Sequence, residues 1–276
     1  KDINPPGTGA ESTGVVTRFT IDQVSPFEDF PIRSKLLNTK DIILIICDSF
    51  FSDLKSIDYY PTSEEFAAHC NEIKQRFSGA SASQEILVED DVFDIKDYFD
   101  KNFYSFKFYT DKINESHYWF EIGKLINKVP IENWDEVFSI LWCKNKSYSD
   151  LFVLLIQELR KIDFVQEVFL EANTVLRGHG EILDVQRLKE LFIQSSSGKG
   201  KNKYGQSFEI NISIISALSR EVSLTCDPRL SEEKPFLNFT DLLDFPGARS
   251  RLEHTIDSIT MEAIPDLYLR GKVAYL

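Results

Sequence analysis

Apolar residues fall along this chain in distinct rhythms, and each rhythm predicts an element. Residues 41–47 (Asp-Ile-Ile-Leu-Ile-Ile-Cys) carry six apolar positions in a row, mostly β-branched, which predicts a strand covered on both faces. Phe66, Cys70, Ile73 and Phe77 instead recur at helical spacing, one apolar stripe of an amphipathic helix. Thr62-Ser-Glu-Glu65 ahead of that stripe is a capping box, and Gly79 behind it supplies the stop. A longer stripe of Phe152, Ile156, Leu159, Ile162, Val165, Phe169, Ala172 and Leu176 predicts a helix over 149–176. Helices are also predicted around 134–142 and over 184–192, while the aromatic segment 98–109 fits neither period clearly. Phe208, Ile210, Ile212 and Ile214 alternate with polar neighbours, the pattern of a half-covered strand, and 222–224 is its expected hairpin partner. Further strands are expected to run into Asp244 and over 272–276.

Strands towards both ends with helices between predict an α/β sheet interrupted by a large, mainly helical insertion. The boundaries fall at 1–60, 61–200 and 201–276, and the polar stretch Ser-Ser-Ser-Gly-Lys-Gly-Lys-Asn-Lys-Tyr-Gly (195–205) reads as a flexible loop. There is no internal repeat. With 276 residues, 42% of them hydrophobic, the chain can bury a sizeable core. The only methionine is Met261 and the chain opens at Lys1, which reads as part of a longer protein.

Charge narrows the partners. A formal net charge of −13 gives phosphate backbones no basic face, so nucleic acid is an unexpected partner. No apolar run reaches the length that spans a bilayer. Cys47, Cys70, Cys143 and Cys226 are scattered beside apolar segments without a CxxC spacing, as in reduced core cysteines, and favour a cytoplasmic setting. The acidic run from Glu89 to Asp100 has helical spacing but lacks the glycine and terminal glutamate of a calcium loop, so it reads as a solvated helix face. His179 reads as loop, and Trp119, Trp134 and Trp142 as core or interface.

Two short motifs could carry chemistry. Gly14-Val-Val-Thr17-Arg18 stands near the start, and Asp241-Leu-Leu-Asp244-Phe-Pro-Gly247-Ala-Arg249-Ser-Arg251 near the end. A threonine hydroxyl offered from a flexible loop can ligate Mg²⁺ and hold water. An aspartate at a strand end can hold the same metal, and a following glycine lets a backbone amide approach a phosphate unobstructed.

Gly14-Val-Val-Thr17-Arg18 resembles switch I of dynamin-type GTPases, and Asp244-Phe-Pro-Gly247 resembles their switch II. The longer strings over the first 20 and last 70 or so residues, including Leu269-Arg-Gly-Lys-Val-Ala-Tyr-Leu276, are similar to the SrfC-like virulence factors of bacteria, which carry a dynamin-like GTPase region. The resemblance implies a partial GTPase-type mixed sheet, GTP and Mg²⁺ as cofactors in the complete protein, and Thr17 as the catalytic, metal-binding threonine. It implies Asp244 as a second metal-holding residue, Gly247 as the phosphate-sensing amide, and Gly14 and Arg18 as supports. Dimerisation across the nucleotide face and an association with membranes are also implied by kinship.

The chain departs from that pattern in two places. It contains no GxxxxGK[ST], because Gly123-Lys, Gly198-Lys and Gly271-Lys all lack the flanking residues, and Asn38-Thr-Lys-Asp41 lacks the spacing of a guanine reader. The chain alone is therefore expected to bind nucleotide poorly or not at all. The competing expectation is a non-catalytic protein-interaction module in which the helical insertion docks a partner and the switch-like turns are relics of a degenerate core.

Overall fold

The computed structural model describes residues 16–53, 59–174 and 197–244. It is a mixed α/β fold whose elements group into two compact units, one of them running from Thr39 to Leu154 and the other built from the segments on either side. The sequence pattern draws the insertion at 61–200, whereas these contacts group 39–154 together.

The flanking segments form a seven-stranded sheet. Its strands are β1 (Val16–Thr20), β2 (Ile32–Leu36), β3 (Glu167–Leu170), β4 (Ser197–Asn202), β5 (Ser207–Asn211), β6 (Ser219–Thr225) and β7 (Leu242–Asp244). Their spatial order is β5-β4-β3-β2-β6-β1-β7. Only β1 and β6 run parallel among these pairs, and every other neighbouring pair is antiparallel. One face is apolar or small and buried: Ile32, Ser34 and Leu36 from β2, Val168 and Leu170 from β3, and Val222 from β6. The alternate positions of the same strands (Arg18, Arg33, Lys35, Glu221) are polar and partly open, as the period of a pleated strand requires.

Strand β4 corrects the flexible loop expected at 195–205. Its sequence Ser-Gly-Lys-Gly-Lys-Asn alternates buried Gly198, Gly200 and Asn202 with more open Lys199 and Lys201. A Cβ on Gly200 would lie 2.5 Å from the Phe208 ring and 2.8 Å from the Phe169 carbonyl, so the glycine is there to let an aromatic ring from β5 lie across the backbone. The β4–β5 hairpin turns at Gly205, in the left-handed region with φ +83°, and the Asn202 side-chain carbonyl accepts from the Tyr204 and Gln206 amides.

The predicted partner of 208–214 is also corrected. Strand β6, which contains 222–224, pairs with β1 and β2 rather than with β5. The alternating run itself is strand only to Asn211. There the side-chain oxygen accepts the Ile214 amide at 3.3 Å, and a short helix, Ile212–Leu218, begins.

The Thr39–Leu154 unit is helical. In chain order its helices are α1 (Thr39–Asp53), α2 (Ser63–Phe77), α3 (Glu89–Asn102), α4 (Lys107–Glu115), α5 (Tyr118–Leu125) and α6 (Trp134–Phe138), with α7 (Lys146–Lys161) carrying the chain onward. α8 (Ile212–Leu218) and α9 (Leu230–Glu233) belong to the sheet unit. The strand expected at 41–47 is the first half of α1. Ile42 to Cys47, Phe50 and Phe51 are all buried, so the apolar run wraps more than one full turn of this helix and leaves no single stripe to mark it. The capping box on α2 is present, with the Thr62 amide donating to Glu65 Oε2 at 2.8 Å and the Glu65 amide to Thr62 Oγ1 at 3.3 Å.

The core of this unit is aromatic. The Phe51 ring lies 4.9, 5.0 and 5.3 Å from those of Phe103, Phe106 and Tyr109, and Phe99 packs on Trp119 at 5.1 Å. Polar tips are satisfied by backbone. The Tyr109 hydroxyl reaches the Ile140 and Leu141 carbonyls at 2.9 and 3.1 Å, and the Tyr118 hydroxyl reaches that of Val137 at 2.9 Å. The buried His69 ring donates through Nε2 to the Val137 carbonyl, and burial lowers its pKa.

The long helix expected over 149–176 is shorter and is followed by a strand. α7 ends at Lys161; the Phe164 amide then closes back on the Leu159 carbonyl at 2.9 Å with Asp163 and Phe164 in the left-handed region, and the chain enters β3. The expectations at 184–192, His179, Arg249, Arg251 and 272–276 lie outside the described residues.

Candidate functional site: the β1–β7 strand pair

Strand β7 runs antiparallel to β1 with Thr17 directly opposite Asp244, Arg18 opposite Leu243 and Phe19 opposite Leu242. Register partners in such a pair have Cα atoms roughly 4.5–5.5 Å apart. Thr17 is the second residue of β1 and Asp244 the last of β7, so the chain enters one strand and leaves the other at the same end of the pair. Two positions from opposite ends of the sequence are thereby juxtaposed. Gly14 and Gly247 lie outside the described residues.

The surroundings of Thr17 differ from the expectation in one respect. It does not stand on a flexible loop but inside β1, between Val222 of β6 and Asp244 of β7, and it is fully buried. Valine and threonine are strong strand formers, and Val16 and Thr17 of the motif lie in β1.

Arg18 points to the opposite, polar face and is engaged by two carboxylates. Its Nε donates to Glu221 Oε1 at 2.9 Å and its Nη1 to Asp241 Oδ2 at 2.9 Å. The second contact spans 223 positions and ties the residue just before β7 to β1. Lys35 joins from β2, 3.4 Å from the same Glu221 oxygen. Burial alone would lower the Arg18 pKa, but the hydrogen bonds and charges of Glu221 and Asp241 outweigh it and raise it. Burial likewise opposes ionisation of Glu221, and the neighbouring Lys35 and Arg18 overcome it and hold that carboxyl below its ordinary value. In this geometry Arg18 clamps the three strands β6, β1 and β7. Its partners were missed by motif reading, although Asp241 belongs to the quoted run and Glu221 sits at an open position of a strand that alternates.

Among the described residues no group of three or more His, Cys, Asp or Glu side chains is placed to hold a metal. The acidic face of α3 is used otherwise: Lys40 lies 2.6 Å from Asp94 and 3.3 Å from Asp91, and Lys96 lies 2.5 Å from Asp100. All four cysteines are free thiols, and burial pushes Cys70 up to about 12 and Cys143 up to about 11, well away from reactive thiolates. No helix among the described residues is long and apolar enough to cross a membrane.

A family model described as "Putative bacterial virulence factor" matches residues 1–276, the whole chain. No curated protein and no solved structure matches it.

Proposed function

The chain belongs to the family described as "Putative bacterial virulence factor", and from that premise we propose that it carries the two switch segments of a dynamin-like GTPase. The observation that carries the reading is the register pairing of Thr17 with Asp244. A metal-bound triphosphate needs a hydroxyl and a carboxylate at one place, and an accidental pair of motifs so distant in sequence has no reason to meet in register. Thr17 and Asp244 would hold Mg²⁺, directly or through its water. Gly247 would present its amide, and Gly14 would free the approach to β1.

The fit is of position rather than of exposure. Thr17 is sealed between two strands, so its hydroxyl reaches a metal only if the start of β1 separates from β7. That strand pair is held by three register pairs and the Arg18–Asp241 contact, an element small enough to switch. Bound Mg²⁺·GTP would favour the separated form by supplying contacts that the sealed form lacks. Since the phosphate-cradling motif is not in these residues, the activity is assigned to the complete protein.

A second reading is the interaction module with a degenerate core, and the complete burial of Thr17 favours it. GTP turnover by the complete protein separates the two. The GTPase reading predicts that Thr17→Ala and Asp244→Ala each lower kcat by about a hundredfold or more, as for loss of a metal ligand or water-positioning group. Equal turnover in the wild type and both variants would remove the assignment, and no turnover in the wild type would favour the interaction module.

A further inference from the structure

Arg33, on the polar face of the sheet, has no carboxylate partner among the described residues. Arg33 is half-buried on β2, and its Nε is buried with no hydrogen-bond partner among the described residues. Its one contact is Nη2 to the Ser223 hydroxyl, at 3.5 Å. Its neighbours are differently placed: Arg18 has Glu221 and Asp241, and Lys35 has Glu221. Glu167 stands opposite Lys35 in register, so this face sets Arg18, Arg33 and Lys35 beside Glu221, Asp241 and Glu167, in a chain whose formal charge is −13. With 44 acidic residues available, an unpaired guanidinium here is not a shortage of carboxylates.

Register explains why no acid among the described residues stands opposite it. Directly across from Arg33 stand Ser223 on one side and Phe169 on the other, and Lys201 lies beyond Phe169. Phe27 packs against Phe169 at 5.3 Å, and its ring also carries the Lys201 ammonium at 5.0 Å, so that side is closed by aromatic surface. On the Ser223 side, the hydroxyl donates to Glu221 at 3.3 Å, a long and replaceable bond. The donors facing this patch are thus a planar fork, a hydroxyl and the Lys35 ammonium two residues along the same strand face. A fork, a hydroxyl and an ammonium on neighbouring strands are the donor types that a tetrahedral oxyanion accepts, and a phosphate would take the place of Glu221 on the last two.

We propose that Arg33, Ser223 and Lys35 form a site for a phosphate group on the polar face of the sheet, distinct from the Thr17–Asp244 pair, because Arg33 is a half-buried guanidinium with no carboxylate partner beside a hydroxyl and a second cation. Thr17 lies on the buried face and contributes nothing to this site. The phosphate belongs to a small molecule, either inorganic phosphate or a phosphate monoester.

The test titrates the protein with inorganic phosphate and, in a second arm, with glycerol phosphate, followed by phosphorus NMR line broadening. Saturable binding of either is expected, and the tighter of the two identifies the source. Arg33→Ala is expected to weaken it at least about tenfold, and Arg33→Lys to weaken it less, since the charge stays while the fork is lost. Arg33→Lys also keeps the test decisive if the alanine variant does not fold. Lys199→Ala, on the same sheet face but on β4 opposite Glu209, away from the patch, is expected to bind as the wild type does. Undiminished binding by both Arg33 variants, an equal loss in Lys199→Ala, or acetate competing as well as phosphate would each overturn the site.

Discussion

At the scale of single residues, the sheet depends on positions whose contribution is the absence of a side chain. Gly200 admits the Phe208 ring against the β4 backbone, and both the ring and the Phe169 carbonyl stand closer than any Cβ tolerates. Gly200→Ala is therefore expected to destabilise the protein by about 1–3 kcal/mol, the usual cost of overpacking. Gly79→Ala, where a Cβ would meet nothing within 4 Å, serves as its control in the same thermal or denaturant unfolding experiment. Such positions explain why β4 was illegible in the sequence. Glycine and lysine are poor strand formers taken singly, and the ring that makes Gly200 a strand residue comes from a different strand. The Thr62–Glu65 capping box was legible because all of its partners lie within four residues.

At the scale of elements, the same contrast separates α2, read correctly, from α1 and α7. α2 presents one stripe and signals at both ends. α1 shows no single apolar stripe, and a short apolar run does not distinguish a strand from a buried helix until its continuation to Phe50 and Phe51 is counted. α7 ends without glycine or proline, on Asp163 and Phe164 in the left-handed region, and its apolar spacing runs on into β3. The Arg18 clamp also belongs at this scale, since it joins three strands. Glu221 has its folded-state pKa lowered from the ordinary 4.5. Its contribution is therefore fully present above that value and is lost as pH falls from about 4.5 through the folded-state pKa. Glu221→Gln should cost about 1–2 kcal/mol at neutral pH, as for a charge-assisted hydrogen bond in a part-buried site. The gap to the wild type should close on acidification below that point. A gap independent of pH between 7 and 3 would show that the carboxylate's charge contributes nothing to the clamp.

At the scale of the molecule, the α/β class was legible, but the front strand it was read from, 41–47, is helix α1, and the strands there are β1 and β2. The order of the strands was not legible, because β6 inserts between β1 and β2 while its sequence neighbour β5 lies at the far edge. The juxtaposition of Thr17 and Asp244 was legible only through the resemblance of two motifs. What the sequence could not show is that Thr17 is interior to the sheet, so that under the proposed function the two positions would have to part before they could hold a metal. Hydrogen exchange of the β1 backbone tests that claim most directly, in the complete protein with and without Mg²⁺ and a non-hydrolysable GTP analogue. The account predicts that nucleotide with metal changes the exchange of Thr17 and Arg18, whose amides lie in the β1 pairings, while β4 and β5 at the other edge stay as they were. Identical exchange across β1 at saturating nucleotide would contradict it.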